Sequence, residues 1–435
     1  MDSINYIQQA VKYATGFAVI MVVFWGGRAG FCDILVTPRL SVDHTYTDNL
    51  YLMNEDEEHD FITTISPGLN VSLANRQSDF SLDYSPSYAV YSRFPEYNTL
   101  RHNANINAAT QFSRHTRVTI NDRFVRTETP VTDIDTAVSE TDTTVRQGRE
   151  TYYTNTAGIG LINEFGWNNS LGLAYEHYLI ENDDPTLEDS RRHTPSIALI
   201  YWLIPNRLGT EWEATYTNRH FEDSENYDDT SWRLRIIRQF SPHFDVYMEY
   251  THEWTDYEAD GIDYQVYNPL IGFHWEKSER LAFSASAGWF CQDYDDEDTE
   301  SGASGMVSAL YTGARGTTAG LTGTTGYDRA DSGAENLGFR QFYGVSAHVD
   351  QTFSRRITGN ISADYRLNLY EEVTPERDDA IYQAGAGLTF QALSWMTMAL
   401  NYTFRTIDSD IEQNDYTENR VAITITMALR QPIRL

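Results

Sequence analysis

A short turn recurs about every 38 residues along this chain, between stretches in which apolar and polar residues alternate. Three of the turns share a sequence, at residues 111–115 (QFSRH), 239–243 (QFSPH) and 352–356 (TFSRR). The other six lie near residues 75–76, 167–169, 205–207, 277–279, 316–317 and 393–394. Midway between the turns are longer, acidic connections. Short turns at one end, long loops at the other and strands between them indicate a transmembrane β-barrel.

The alternation has the period of a β-strand, which places successive side chains on opposite faces. In residues 357–370, for example, Ile361 and Leu367 share one face while Asn360 and Asp364 share the other. Each such segment is long enough for a tilted strand to cross the hydrocarbon of a bilayer. Because soluble antiparallel sheets also alternate, the membrane interpretation depends on the loops and on the aromatic residues.

Aromatic residues cluster near both ends of the segments, which predicts the two girdles that mark the interfaces of a membrane barrel. Those beside the short turns are Phe112, Phe165, Trp167, Trp202, Phe240, Phe244, Phe353, Phe390 and Trp395. Those expected at the opposite interface are Tyr51, Tyr227, Trp232, Trp254, Tyr257, Tyr294 and Tyr416.

Nine short turns, with a free strand at each terminus, predict a closed antiparallel barrel of about 20 strands. The alternative is 18 strands, because glycine weakens strands and residues 302–326 are rich in it. An even number puts both termini on the short-turn side. The predicted fold is therefore an all-β transmembrane barrel with short periplasmic turns and long acidic extracellular loops.

Residues 1–32 differ from the rest of the chain. Lys12 precedes an apolar run from Ala14 to Trp25, which is too short to cross a bilayer as a helix. The run predicts a signal peptide cleaved after Cys32, so that the barrel comprises residues 33–435. The alternative is a lipoprotein signal in which Cys32 is lipidated. Cys291 is the other cysteine, so no disulfide is predicted within the mature barrel.

The formal net charge of −31 argues against a nucleic-acid partner, which would need cations to neutralise phosphates. Acidic side chains are concentrated in the long connections, at residues 54–60, 181–189, 222–229, 293–300, 371–379 and 408–418. No cofactor is predicted, although clustered carboxylates suit loop-bound divalent cations. The longest connection, between Thr129 and Arg149, either enters the lumen as a constriction or remains outside.

A barrel of this size encloses a wide aqueous lumen. The predicted pore-lining residues combine amides with charges of both signs, which suits hydroxyl-rich solutes, although any water-filled barrel needs a polar interior. They are Asp83, Asn103, Asn105, Asn107, Glu211, Glu213, Arg233, Arg235, Glu249, Asp364, Arg366, Asn401 and Arg405. Four tyrosines are expected to offer stacking faces for sugar rings, namely Tyr178, Tyr247, Tyr370 and Tyr382.

Catalytic motifs are missing from the sequence. The histidines lack zinc-type spacing, no Gly-x-Ser-x-Gly nucleophile elbow occurs, and the acidic residues after Cys291 disfavour a reactive thiolate. We therefore predict that the protein is not an enzyme.

Residues 37–42 (TPRLSV) and 45–50 (TYTDNL), together with the Phe-Ser-Arg turns, resemble the putative β-barrel porin 2 family. The resemblance extends over the predicted mature chain, and its motifs are structural. It implies an outer-membrane barrel of a Gram-negative bacterium, surrounded by membrane lipids and lipopolysaccharide. It further implies a channel for exopolysaccharide export with a periplasmic polysaccharide export protein as its partner.

Two other functions fit the same sequence. One is a general or sugar-type diffusion porin, and the other is a structural or adhesive barrel whose acidic loops bind cations. The sequence leaves open the substrate, the oligomeric state and whether the pore is open at rest.

Overall fold

The computed structural model describes residues 33–130, 148–258, 263–294, 299–331, 336–370 and 377–435, and most of these residues lie in strands. The strands are β1 (Asp33–Thr47), β2 (Asp60–Ala74), β3 (Ser78–Tyr84), β4 (Ser87–Tyr91), β5 (Thr99–Gln111), β6 (Thr116–Thr127), β7 (Tyr152–Phe165), β8 (Asn169–Asn182), β9 (Ser190–Ile204), β10 (Leu208–Phe221), β11 (Tyr227–Ser241), β12 (Phe244–Tyr257), β13 (Tyr264–Ser278), β14 (Leu281–Tyr294), β15 (Glu300–Thr312), β16 (Thr317–Asp331), β17 (Asn336–Ser354), β18 (Ile357–Tyr370), β19 (Arg377–Leu393), β20 (Met396–Ser409), β21 (Tyr416–Ala428) and β22 (Ile433–Arg434). Single 3₁₀ turns occur at Pro95–Tyr97 and Glu412–Asn414.

The strands form one closed antiparallel sheet. Successive strands pair along the chain, and β1 pairs with β21 to complete the barrel. Because β3 and β4 both pair with β2 and β5, they are two halves of one barrel strand, while β22 adds a short pairing to β1. The barrel therefore has 20 strands, as predicted. The glycine-rich stretch forms β15 and β16, which rules out the alternative of 18.

All nine predicted short turns lie at one end of the barrel, together with the start of β1 and the end of β21. The turns that share the Phe-Ser sequence also share a hydrogen bond. The hydroxyls of Ser113, Ser241 and Ser354 accept from the backbone N–H two residues further on, at 3.1, 3.2 and 3.2 Å. This local bond defines a serine turn, so the repeated serine fixes the chain reversal.

Apolar side chains cover the outward face of the barrel. Met248 and Ile361 are 64% and 65% exposed, and their neighbours in the register are also apolar. Along each strand, the residues that alternate with these apolar residues point inwards. A broad apolar surface of this kind is suited to lipid rather than to water.

We expect Met248→Arg to destabilise the folded barrel by about 2–4 kcal/mol, because it places a charge on the apolar outward face. Urea unfolding in lipid vesicles, followed by tryptophan fluorescence, measures this difference. Asn107→Arg is the matched control, because Asn107 is exposed on the inward face. Equal effects of the two substitutions would contradict the assignment of the faces.

The aromatic girdle at the short-turn end is largely as predicted, since Phe112, Trp167, Phe240 and Phe353 are exposed on the outside. Trp202 is an exception, because its register with Gly209 places it on the inward face. The prediction for the opposite end was wrong for most residues. Trp232 and Trp254 point outwards, but the tyrosines there pack inside. Those with the lowest exposure are Tyr227, Tyr294 and Tyr416, at 3%, 7% and 2%.

The long connections lie at the opposite end from the turns, including the acidic residues 54–60, 181–189, 222–229 and 408–418. Residues 1–32, with Cys32, lie outside the described part of the chain, so the predicted signal peptide stays a prediction. Most of the connection between Thr129 and Arg149 lies outside it too, as do parts of the acidic stretches 293–300 and 371–379. In the ranges described, no helix has the length and apolar character needed to cross a membrane.

Candidate functional site

The register places all thirteen predicted pore-lining residues on the inward face. Directly opposed pairs connect them from strand to strand, such as Asp83 with Asn105 and Arg235 with Glu211. This face is the interior because strands far apart in the sheet meet across it. For example, Arg329 of β16 contacts Asp229 of β11.

Five of the predicted residues form a charged ladder across β10, β11 and β12. Arg233 contacts Glu213 at 2.5 Å and Glu249 at 3.1 Å. Arg235 contacts Glu249 at 2.6 Å and Glu211 at 3.5 Å. Because two arginines alternate with three carboxylates, the ladder has a formal net charge of only −1.

The remaining predicted residues are more widely distributed. Asp83 accepts two hydrogen bonds from Arg39, which the sequence prediction missed, at 2.8 and 2.6 Å. Asn105 donates to Asn103 at 2.9 Å, and Asn107 lies exposed opposite Asn121. Asp364 lies opposite Gln383, and Asn401 lies opposite Gly387.

Arg366 and Arg405 lie on the predicted face, but they are only 2% and 3% exposed. They therefore belong to a packed layer that fills the long-loop end of the lumen. Of the four tyrosines expected to stack on sugars, Tyr370 lies in this layer, whereas Tyr382 is exposed on the outward face. In contrast, inward-facing residues nearer the short turns, such as Arg117, are exposed. The lumen is thus a wide vestibule that narrows towards the long loops.

A hairpin that folds into the lumen forms much of this packed layer. We call it the inner hairpin, and it comprises the described residues of 326–342, at the ends of β16 and β17. Pairing between β15 and β16 stops at Gly305 and Thr325, although β15 begins at Glu300. Beyond this point, β16 leaves the wall and both faces of the hairpin pack against other strands.

One face of the inner hairpin packs against β13 and β14. The ring of Phe290 lies 5.0 Å from that of Tyr327 and 5.8 Å from that of Phe339. Phe339 also contacts Tyr264 edge-on at 5.9 Å. Aromatic contacts of this type add to the free energy gained by burying the rings, so they hold the hairpin against the wall.

Arg329 fixes the same face through polar contacts. Its guanidinium donates to Asp229 at 3.1 Å and to the Tyr264 hydroxyl at 3.1 Å, and it also bonds to Thr255. The guanidinium lies 4.1 Å from the ring centre of Tyr227. One side chain of the hairpin therefore connects to β11, β12 and β13.

The opposite face of the inner hairpin faces β18. Asp328 accepts from Arg340 at 3.0 Å and from Arg366 at 2.6 Å. The Arg366 guanidinium also lies 4.0 Å from the ring centre of Phe342. A buried carboxylate shared by two arginines is stable only while all three groups stay together.

The loop between β1 and β2, residues 48–59, also packs over the inward face. Leu50 packs against Ile62 and Tyr91, while Leu52 packs among residues of β19, β20 and β21. Leu52 has a φ of +57°, a backbone conformation that is costly for leucine. The burial of its side chain offsets this cost.

Arg149 connects this loop to the end of the longest connection, for which the sequence left open a position inside the lumen or outside it. It donates to the Leu50 carbonyl at 3.0 Å and to the Tyr91 hydroxyl at 3.3 Å. Tyr91 in turn donates to Glu128, which also accepts from Arg101 at 3.0 Å. Burial alone would raise the pKa of the Glu128 carboxyl, but the hydrogen bonds and charge of Arg101 outweigh it and lower that pKa. Glu128 is therefore an ionised anchor.

The described residues contain no group of three or more His, Cys, Asp or Glu side chains arranged to hold a metal ion. Cys291 is a free thiol that points outwards opposite Tyr267. The geometry of the interior is that of a passage with a packed outer end.

The chain's sequence matches a family described as "Putative beta-barrel porin 2" over residues 25–192 and 205–429. No curated protein sequence matches the chain. Among solved structures, the FrpB iron transporter from Neisseria meningitidis is similar, with a TM-score of 0.54, 9% identity, and coverage of 90% of this chain and 82% of that one. The ferric enterobactin receptor from Pseudomonas aeruginosa gives a TM-score of 0.53 at 10% identity, covering 92% and 82%. At such identities, the likeness concerns the fold alone.

Proposed function

The chain belongs to the putative β-barrel porin 2 family, and from this premise we propose that it is an outer-membrane channel for exopolysaccharide export. The fold it shares with an iron transporter and a ferric enterobactin receptor indicates an outer-membrane barrel. In the proposed orientation, the short turns face the periplasm and the long acidic loops face outwards. Membership of a porin-type family also supports the proposal that the protein acts as a channel rather than as an enzyme.

The observation that best supports export is the asymmetry of the lumen. The vestibule is lined by exposed polar side chains at the short-turn end, whereas the inner hairpin and the loop of residues 48–59 fill the other end. A channel that is closed on its outer side would prevent leakage while no cargo is present. A hydrated polysaccharide entering from the periplasm would then displace the inner hairpin.

The lining of the vestibule suits a hydroxyl-rich chain. Asn103, Asn105 and Asn107 lie on one strand and offer both donors and acceptors. The ladder around Arg233 and Arg235 is close to electroneutral and so does not select strongly for one sign of charge. Such a surface provides weak, replaceable hydrogen bonds along which a polymer can slide. The proposed periplasmic export protein would deliver the polymer to this end.

A diffusion porin is the second candidate, and the width of the vestibule favours it. The two functions differ in what the isolated barrel does. A diffusion porin conducts steadily in a planar bilayer, while the proposed export channel is mostly closed until cargo or a partner opens it.

Deletion of the gene tests the proposal in the source bacterium. We expect surface exopolysaccharide to be lost, while the uptake of small sugars and antibiotics continues at its normal rate. Re-expression of the intact chain should restore the polysaccharide. Normal surface polysaccharide in the deletion strain would refute the export function, and a selective loss of small-solute uptake would favour the diffusion porin.

A further inference from the structure

Two cations lie on the outward face of the barrel, near the short-turn end. Arg238 of β11 is exposed, and the register places it opposite Leu208 and Val246 on its two neighbouring strands. Lys277 lies near the end of β13, at the irregularity in register between Glu276 and Ser278; it is also exposed, and its ammonium lies beside the outward-facing Trp275. Both charges therefore border the surface that is otherwise suited to lipid.

Each cation lies over an aromatic ring near the short-turn end of the barrel. The Arg238 guanidinium lies 5.7 Å from the ring centre of Phe240, which is nearer the turn. The Lys277 ammonium lies 5.8 Å from the ring centre of Trp275, further into the membrane. The two side chains thus extend in opposite directions along the barrel axis, and their charged groups approach the same depth in the membrane. Aromatic girdles lie at the depth of lipid headgroups, and long cationic side chains place their charges there.

Neither cation is in an ion pair with an acidic side chain, as far as the described ranges of the chain extend. A cation at the membrane interface attracts an anion, and phosphate accepts hydrogen bonds from guanidinium and ammonium groups. A lipid phosphate in the membrane would therefore supply the negative counter-charge at this position.

A shallow apolar groove lies beside these cations on the outward face. It is lined by Val246, Ile271, Phe273, Ala285, Ala287 and Val307. The groove exists because Ala285 and Ala287 of β14 have short side chains. Ala285 lies between the larger Phe273 and Val307, and Ala287 lies between Ile271 and Gly305, which has no side chain to fill the space. Through Ile271 and Ala287 it continues into a second groove that includes Met248 and Tyr250. This long apolar surface has the shape and chemistry to hold an acyl chain.

We propose that this groove and the two cations form a binding site for one anionic phospholipid. The phosphate would bind between Arg238 and Lys277, and an acyl chain would lie along Ala285 and Ala287. The proposal is independent of what passes through the lumen.

Charge complementarity favours a phospholipid over a second copy of this chain. In a twofold dimer, the same patch meets itself, so Arg238 and Lys277 would face the same two cations of the partner. Like charges in a medium of low dielectric repel strongly. An anionic lipid instead neutralises them and also fills the apolar groove.

Titration of the detergent-purified full-length barrel with phosphatidylglycerol or phosphatidylcholine, followed by native mass spectrometry, tests the site. We expect one phosphatidylglycerol to be retained with a lower apparent Kd than phosphatidylcholine. Each interfacial cation contributes about a fivefold preference. The double variant Arg238→Gln/Lys277→Gln should therefore lose roughly 25-fold in the preference for phosphatidylglycerol.

A second variant tests the groove without changing the charge. Ala285→Trp fills the space beside Phe273 on the outward face and should weaken the binding of phosphatidylglycerol while the cations remain. The control is Arg114→Gln/Arg355→Gln, which removes two exposed turn arginines that also follow a girdle phenylalanine. This control should keep the preference.

Three outcomes would overturn the proposal. Equal retention of the two lipids by the unaltered barrel would show that no anionic site exists. An equal loss of the preference for phosphatidylglycerol in the Arg114→Gln/Arg355→Gln control would show that the lipid is attracted generally to the basic residues at the short-turn end. A dimer in the mass spectrum that Ala285→Trp dissociates would assign the groove to self-association.

Discussion

Arg329→Ala is expected to make the barrel conduct ions in a planar lipid bilayer under conditions in which the unaltered barrel is mostly closed. Arg329 attaches the inner hairpin to Asp229 and Tyr264 and stacks on Tyr227. Removing one partner of such a partly buried charge pair costs about 3 kcal/mol, because the remaining carboxylate loses its counter-charge. Since 1.4 kcal/mol corresponds to a factor of ten, the equilibrium between closed and open channels should shift about 100-fold.

Arg355→Ala is the matched control for this experiment. Arg355 lies at the other end of β17, in an exposed short turn. Its replacement removes the same charge at a position away from the inner hairpin and should leave the channel closed. A closed Arg329→Ala barrel would argue against the inner hairpin as the gate. Equal conductance of the two variants would instead indicate a general loosening of the barrel.

Gly302→Leu is the second substitution with a large expected effect, and it changes no charge. A Cβ atom added at Gly302 would overlap the Gln341 side-chain nitrogen and lie 2.6 Å from the Phe290 ring. The longer leucine side chain would occupy the space in which the inner hairpin packs against β14. Overpacking of this kind costs about 1–3 kcal/mol, so the open fraction should rise roughly 5- to 100-fold.

Gly323→Leu provides the comparison, because a Cβ atom there meets nothing nearer than the Gly344 carbonyl oxygen at 3.9 Å. Single-channel recording should detect openings only in the Gly302→Leu barrel. The double variant Gly302→Leu/Arg329→Ala should open less than the two separate effects combined would predict, because both act on one element. Full additivity would mean that the two residues hold different elements in place.

The number of strands and their boundaries follow from the sequence because turn chemistry and strand period are local properties. Ser113, Ser241 and Ser354 close their own turns, so the repeated serine marks these three of the nine short turns. The inward face was equally predictable, because alternation along each strand determines it once one strand is oriented.

The buried tyrosines could have been assigned correctly from the same alternation. Tyr227 lies an even number of positions before Arg233 and Arg235 in the same strand, so its side chain shares their inward face. The sequence prediction instead relied on its position near a strand end. A tyrosine side chain can contact either a lipid headgroup or a buried arginine. Only the face of the barrel on which the tyrosine lies distinguishes these two environments.

The inner hairpin could not be predicted in this way. Its residues alternate like those of any other strand pair. Its inward fold depends on contacts between residues that are far apart in the sequence, such as Arg329 with Asp229 and Phe339 with Phe290. The connection between Thr129 and Arg149 was one candidate for a constriction because of its length. In the described residues, the element that fills much of the lumen is the inner hairpin. It continues two wall strands, β16 and β17, and is not unusually long.

The pairing of β1 with β21 has a consequence for how the molecule assembles. Apart from the short pairing of β22 with β1, every other pair of wall strands joins neighbours along the chain, whereas Arg39 of β1 pairs with Ala428 and Thr47 with Arg420. Loop-closure entropy makes contacts between distant segments the slowest to form. Hairpins can therefore form one after another along the chain, while the growing sheet keeps two edges with unpaired backbone hydrogen-bonding groups until the last step. The bonds of Asp48 to Asn419 and of Asp43 to Thr424, at 2.7 Å each, form only then and seal the cylinder.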